Sequence, residues 1–229
     1  MKNRLAVAID GPSGAGKSTI AKLLAKELGF LYVDTGALYR AIGYEVIKKG
    51  GRPDDAEFVT GLLPELNVEL KCGLGTQFVF INGCEVSDLI RSPEVSMAAS
   101  AVSAMPEVRR FLFNLQRETA LKNDVIMDGR DIGTVVLPDA DIKIFLTASV
   151  EDRARRRFAE LKQKGVETSY ADVLDDMKKR DYNDSHRKTA PLKAAHDAIK
   201  VDTTGNTLEQ SVNILKQLVL DLMSENKKK

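Results

Sequence analysis

Cysteine and histidine are scarce in this chain. The two cysteines, Cys72 and Cys84, form no Cys-x-x-Cys pair and have no histidine nearby, which argues against a disulfide framework or a thiolate metal site and reads as two ordinary thiols. The two histidines, His186 and His196, have no neighbours that suggest a general base, so surface or capping roles are expected. Long apolar runs are missing as well. The run Leu5–Ile9 covers about five residues before Asp10 and no other stretch approaches twenty, so neither a signal peptide nor a membrane span is expected, and the chain reads as cytoplasmic. Net charge is nearly absent: 34 basic residues against 33 acidic leave +1, which argues against a general electrostatic role on nucleic acid or a membrane. No internal repeat or low-complexity segment occurs apart from Lys227-Lys228-Lys229, expected to be a frayed, solvated tail.

What the chain does have is Gly11-Pro12-Ser13-Gly14-Ala15-Gly16-Lys17-Ser18-Thr19, a match to the P-loop spacing. The apolar run before it reads as a strand. Ile20, Leu23, Leu24 and Leu28 after it recur at helical spacing. Strand, glycine-rich turn and helix start together make an anion cradle: glycine opens φ > 0, and the free N–H groups of the first helical turn point at the anion. Lys17 can reach the β- and γ-phosphates and Ser18 can ligate magnesium. A nucleotide triphosphate is the expected ligand of residues 11–19.

At 229 residues with 43% hydrophobic composition, one domain with an insertion, or a domain plus a small subdomain, is expected over 1–229. Gly29 ends the first helix, Phe30–Val33 reads as a strand, and a helix is predicted from about Ala37 to Lys49. This is the βαβα rhythm of a doubly wound parallel sheet, whose ligands bind at the carboxyl ends of strands. Asp34, Thr35 and Arg40 fall at such an end, where Thr35 reads equally as an N-cap or as a ligand group. From Pro64 the period changes to two, through Leu66, Val68 and Leu70, then Gln77–Ile81, with turns at Gly73-Leu74-Gly75 and Asn82-Gly83 and a third short strand at Cys84–Val86. We expect an antiparallel β-containing insert over 64–100, of the kind that carries specificity or moves as a lid. Helices follow from Pro93 and Pro106.

Val125-Ile126-Met127-Asp128 closes an apolar strand on an acid suited to hold magnesium or one of its waters, and Gly129-Arg130-Asp131 follows at the same strand end. Ile142–Leu146 and Ala198–Val201 read as further core strands, and a last helix starts at the capping-box-like Thr207–Gln210. The most basic segment lies between those two strands. Arg153, Arg156 and Arg157 share one helix face, and Arg180, Asp184 and Arg187 fall at i, i+4 and i+7 of another. Either group reads as a solvated, ion-paired face on charge alone. Beside a P-loop, arginines also suit the equatorial oxygens of a transferring phosphoryl group. A hydroxyl acceptor calls for a general base, whereas a phosphate acceptor is already an anion and needs arginines to offset repulsion. Arg40, Arg130 and Arg187 are candidates for that clamp, which points to a nucleoside monophosphate as acceptor. The Asn-Lys-x-Asp string that reads guanine in GTPases is absent. A small-molecule kinase acting on a hydroxyl, and a non-catalytic nucleotide-dependent switch, remain the two competing readings.

Ile9–Lys17, Asp34-Thr35-Gly36-Ala37-Leu38-Tyr39-Arg40 and Asp128-Gly129-Arg130-Asp131-Ile132-Gly133-Thr134-Val135-Val136, with Lys179-Arg180-Asp181 and Ala190-Pro191-Leu192, together resemble the bacterial cytidylate kinases. The resemblance spans essentially the whole chain, and Asp-Gly-Arg-Asp is its most specific string. It implies five parallel strands flanked by helices, an enlarged monophosphate-binding insert, and a helical lid with substrate-contacting helices over 151–187. It implies transfer of the ATP γ-phosphoryl group to CMP or dCMP with Mg2+. Ser100, Arg109 and Asp131 would read cytosine, Arg180 and Asp184 would hold the sugar hydroxyls, and Arg40, Arg130 and Arg187, beside Thr35, would grip the CMP phosphate. Lys17, Asp128, Arg130, Arg153, Arg157 and Arg187 would serve the transfer, with Arg153, Arg156 and Arg157 in the lid. Ser18, where some relatives have glycine, supplies the magnesium hydroxyl. The amphipathic faces are used by one core, which predicts a monomer.

Overall fold

A computed structural model of the chain describes residues 4–73 and 76–226. β1 (Ala6–Asp10) leads through the glycine-rich loop into α1 (Lys17–Leu28), then β2 (Leu31–Asp34), α2 (Thr35–Lys48) and α3 (Ala56–Leu62). β3 (Val68–Gly73), β4 (Thr76–Ile81) and β5 (Cys84–Glu85) follow, then α4 (Pro93–Val102), α5 (Pro106–Lys122) and β6 (Val125–Gly129). One π-helical turn, Ile132–Val136, precedes β7 (Ile142–Thr147); α6 (Val150–Gln163), α7 (Tyr170–His186), β8 (Ile199–Asp202) and α8 (Leu208–Asn226) complete the order.

The main sheet has five strands in the order β2-β6-β1-β7-β8, every pair parallel. A parallel sheet covered on both faces needs strands that are apolar throughout, and Val7, Ala8, Ile9, Val125, Ile126 and Met127 are all essentially inaccessible. Ile20 and Leu24 of α1 pack with Leu215 and Val219 of α8 over one face; Ala120 of α5 with Ile132 and Val136 covers the other. β1 lies between β6 and β7, so the loops leaving β1 and β6 open side by side at the carboxyl edge, where such sheets bind ligands.

The insert is a three-stranded antiparallel sheet, β3-β4-β5. Asn82 and Gly83 both take positive φ (50° and 79°), as a two-residue hairpin turn requires. Val79 and Ile81 join Leu38, Ile42 and Val102 in a core shared by the insert, α2 and α4. α6 and α7 share a small core of their own, Ala154, Leu161, Val173 and Met177. Residues 74 and 75 of the predicted Gly73-Leu74-Gly75 turn lie outside the described residues, as does the lysine tail.

Three expectations are corrected. α2 begins at Thr35, not near Ala37, and its N-cap is Asp34, whose Oδ1 accepts Ala37 N at 3.1 Å. Thr35 instead donates its hydroxyl to the carbonyl of Asp128 at 2.9 Å. Arg187 is not on the helix of Arg180 and Asp184: α7 ends at His186 and Arg187 is extended (φ −62°, ψ 142°). α3 was not foreseen; seven residues are too few for periodicity to mark. Among the described residues no helix is long and apolar enough to cross a membrane.

Candidate active site

Gly11 opens the loop with φ 147°, and a Cβ there would lie 1.9 Å from the carbonyl oxygen of Leu146, so only glycine lets the loop cross β7 this closely. Gly16 (φ 88°) ends it as a left-handed N-cap of α1 with no side-chain cap, leaving first-turn N–H groups aimed into the loop. Lys17 is buried there, and its Nζ donates to Pro12 O at 2.7 Å. Burial, then Arg130, lower its ammonium to about 7 against the pull of Asp128 and Asp10.

Ser18 Oγ donates to Asp128 Oδ2 at 2.8 Å, which joins the first turn of α1 to the end of β6. The other carboxylate oxygen, Oδ1, is buried without a hydrogen-bond partner. Burial, then the neighbouring Asp34, raise Asp128 to about 6. A hydroxyl and an orphaned carboxylate oxygen at the phosphate cradle suit a hard divalent cation that takes most of its ligands from water and phosphate. Among the described residues there is no cluster of three or more ligating side chains that would form a closed protein cage.

Across the edge from the loop, acids hold a group of arginines in place. Arg40 Nη2 meets Asp34 Oδ2 at 2.7 Å; burial disfavours the carboxylate, yet Arg40 outweighs it and Asp34 stays below its ordinary range. Arg130 Nε meets Asp184 Oδ2 at 2.9 Å. Arg109 pairs closely with Asp131 and lies 5.5 Å above the ring of Tyr39. Arg187 reaches the other oxygen of Asp131 at 3.4 Å and folds back to Ala190 O at 2.7 Å. Arg180 differs: its Nε is buried with no partner, and burial, then Arg130, lower it to about 10. Arg130 depresses both Lys17 and Arg180, so these cations crowd closely enough to repel one another. An anion with several oxygens would relieve that repulsion.

Of the basic residues on α6, Arg153 is locked in place. Its guanidinium donates to Ser13 O (2.9 Å), to Ala148 O (2.9 Å) and to both oxygens of Asp181 (3.1 and 2.6 Å), tying the loop to α7. Arg156 holds Asp152 and Thr203 O, and Arg157 meets the half-exposed Glu160 at 2.8 Å. Ser100 is half-buried on α4. The serine that touches the arginines is Ser103, whose carbonyl accepts Arg109 Nη1 (3.1 Å) and whose Oγ accepts Arg187 Nη1 (3.2 Å).

Sequence reasoning also missed Asp10, which accepts Ile132 N and Gly133 N, both at 2.8 Å, and so fixes the backbone after Asp131. Its place at the end of β1, the same logic that marked Asp34 and Asp128, was the available signal. Neither histidine is in the site: His186 stacks on the exposed Tyr182 with centroids 4.1 Å apart, and the side chain of His196 is 94% exposed.

The sequence matches the family model for cytidylate kinase over residues 7–220. The chain belongs to the cytidylate kinase family. It is 51% identical over 219 residues to a cytidylate kinase of Caldicellulosiruptor bescii, covering 96% of this chain and 95% of that one. A cytidylate kinase of Desulfitobacterium hafniense is also 51% identical, over 221 residues, with 96% and 95% covered. Among solved structures, an uncharacterized protein from Eubacterium ventriosum aligns with a TM-score of 0.53 at 15% identity, covering 96% of this chain and 99% of that one; this likeness bears on the fold alone. The cytidylate kinase chain is thus a nucleotide-binding transferase with a parallel P-loop sheet.

Proposed function

We propose that this member of the family transfers the γ-phosphoryl group of ATP directly to CMP or dCMP, giving CDP or dCDP. The single observation that carries the reading is the crowd of cations at the P-loop, where burial and then Arg130 depress both Lys17 and Arg180, and Arg180 Nε is buried without a partner. Two polyanions must meet there, and fixed cations make that possible.

Donor phosphates bind residues 11–19, with Lys17 on the β- and γ-phosphates. CMP binds through Thr35, Arg40, Ser100, Arg109, Arg130, Asp131, Arg180, Asp184 and Arg187. Asp131 accepts the exocyclic amine of cytosine and Arg109 donates to its ring acceptors. Arg40, Arg130 and Arg187 grip the CMP phosphate, whose oxygen attacks as an anion and needs no general base; the exposure of both histidines fits this. Arg153 and Arg157 act from the lid side. Residues 64–100 form the monophosphate-binding insert and 151–187 the lid, in keeping with the separate small core of α6 and α7. Ser18 and Asp128 would hold Mg2+, which when bound neutralises phosphate charge. The enzyme acts as a cytoplasmic monomer without nucleic-acid or membrane partners. The test is ADP release from Mg·ATP with CMP, dCMP, UMP, AMP, GMP and shikimate in parallel. Stimulation by CMP and dCMP is expected; stimulation by shikimate alone, or by none, overturns the reading.

A further inference from the structure

Gln77 interrupts an apolar pattern. Along β4, residues 77, 79 and 81 face the same way, and Val79 and Ile81 are buried in the core shared with α2. A third apolar residue would extend that face. Gln77 instead reaches across 43 positions of sequence to the backbone of Asp34, accepting its N–H at Oε1 (2.7 Å) and donating Nε2 to its carbonyl (3.1 Å).

The partner strand explains the residue type. β2 is an edge of the five-stranded sheet, so its outer N–H and C=O groups make no ladder hydrogen bonds to a neighbouring strand. A primary amide offers one acceptor and one donor side by side, like a peptide unit, and closes both bonds at once. These two bonds fix the carboxamide orientation, because the reverse would set donor on donor and acceptor on acceptor.

Asp34 is no ordinary edge residue. Its Oδ1 caps α2 and its Oδ2 holds Arg40. Thr35, next in the chain, bonds the carbonyl of Asp128. Behind the clamp a cavity of about 510 Å³ is lined by Ser18, Tyr32, Asp34, Arg40 and Gln77. The position of the insert therefore reaches the P-loop side and the arginine side through a single backbone unit.

We infer that Gln77 is a positioning residue for the acceptor phosphate: through the Asp34 backbone it sets the insert against the main sheet and aims Arg40. The inference deepens the CMP-kinase reading and rests on it for its kinetic arm. Gln77→Met keeps length and packing but removes both bonds; Gln77→Glu keeps the acceptor and loses the donor. In the full-length enzyme, Gln77→Met raises KM for CMP about tenfold, the value of one to two net hydrogen bonds, with KM for ATP within about twofold. Gln77→Glu raises it too, because the Asp34 carbonyl loses its donor. Native-state hydrogen exchange of the substrate-free protein gives a readout independent of activity: the Asp34 amide loses protection about tenfold in Gln77→Met and less in Gln77→Glu. Unchanged Asp34 protection in Gln77→Met, or equal rises in both KM values with a lowered Tm, overturns the inference. Loss of Asp34 protection in Gln77→Met, together with a wild-type enzyme that CMP does not stimulate, would instead sink the CMP reading and leave the Gln77–Asp34 link standing.

Discussion

Replacing Asp131 by asparagine tests its proposed role in base selection. The side chain is 6% exposed and carries Arg109 on one oxygen and Arg187 on the other. Asparagine keeps the volume and one acceptor but loses the charge. A hydrogen bond to a charged group is worth about 1.5–3 kcal/mol, so binding of the cytosine amine should weaken roughly 10- to 150-fold. UMP presents a carbonyl where CMP presents the amine. The carboxylate repels that carbonyl, whereas the amide can turn its NH2 toward it. Discrimination between CMP and UMP should thus collapse by one to two orders of magnitude, while KM for ATP, for which we propose residues 11–19 as the site, stays within about twofold. The two arginines lose their counter-charge, and at roughly 2–4 °C per kcal/mol for a chain of this size Tm falls by about 3–12 °C. Coupled ADP-release assays below that Tm, with CMP and UMP varied at saturating Mg·ATP, measure the effect. Equal losses for CMP, UMP and ATP would refute the base-reading role and leave Asp131 as a structural brace.

Three other outcomes follow from the geometry. Gly11→Ala drives a Cβ to within 1.9 Å of Leu146 O at φ 147°, so ATP binding is lost and stability falls by at least about 3 kcal/mol, whereas Gly29→Ala, with nothing within 4 Å, costs only about 1 kcal/mol; calorimetric melts of both variants compare them. Arg153→Met strips Ser13 O and Asp181 of their donor, raising KM for ATP and, as Asp181 is 26% exposed, lowering stability by about 3 kcal/mol at the low end for a buried pair; denaturant melts and ATP titrations read it, and unchanged ATP affinity counts against the tie. Burial raises Asp10 to about 6. Folded Asp10 therefore takes up its proton at higher pH than the unfolded chain does, its contribution to stability is full below pH 3.8 and lost as pH rises through 6, and the stability gap between wild type and Asp10→Asn should widen by ~3 kcal/mol from pH 7 to pH 4; a gap that narrows toward acid contradicts it.

The P-loop, the strand ends at Asp34 and Asp128 and the Asn82-Gly83 hairpin were legible because each depends on local chemistry: glycine's φ, a carboxyl-end acid, a two-residue turn. The arginines were legible as a set by residue type alone. Their partners were not. Asp10, Gln77 and Asp181 act through contacts 28 to 123 positions away in sequence, and Ser103 meets Arg187 across 84, which no local period encodes. Arg187 shows a related limit: i, i+4, i+7 spacing suggested one helix face, but α7 stops one residue short and the arginine reaches Asp131 from an extended backbone. Arg153 fitted a solvated face by spacing, yet it is 4% exposed and bound to the loop.

The central claim is that the acceptor is a cytidine or deoxycytidine monophosphate chosen by groups facing the P-loop. The most direct measurement is the rate of ADP formation from Mg·ATP by the intact protein as CMP, dCMP, UMP, AMP and GMP are each titrated. The account predicts the highest kcat/KM for CMP and dCMP, with CDP and dCDP formed in step with ADP. ADP formation that is indifferent to CMP, or faster with a purine monophosphate, would contradict it.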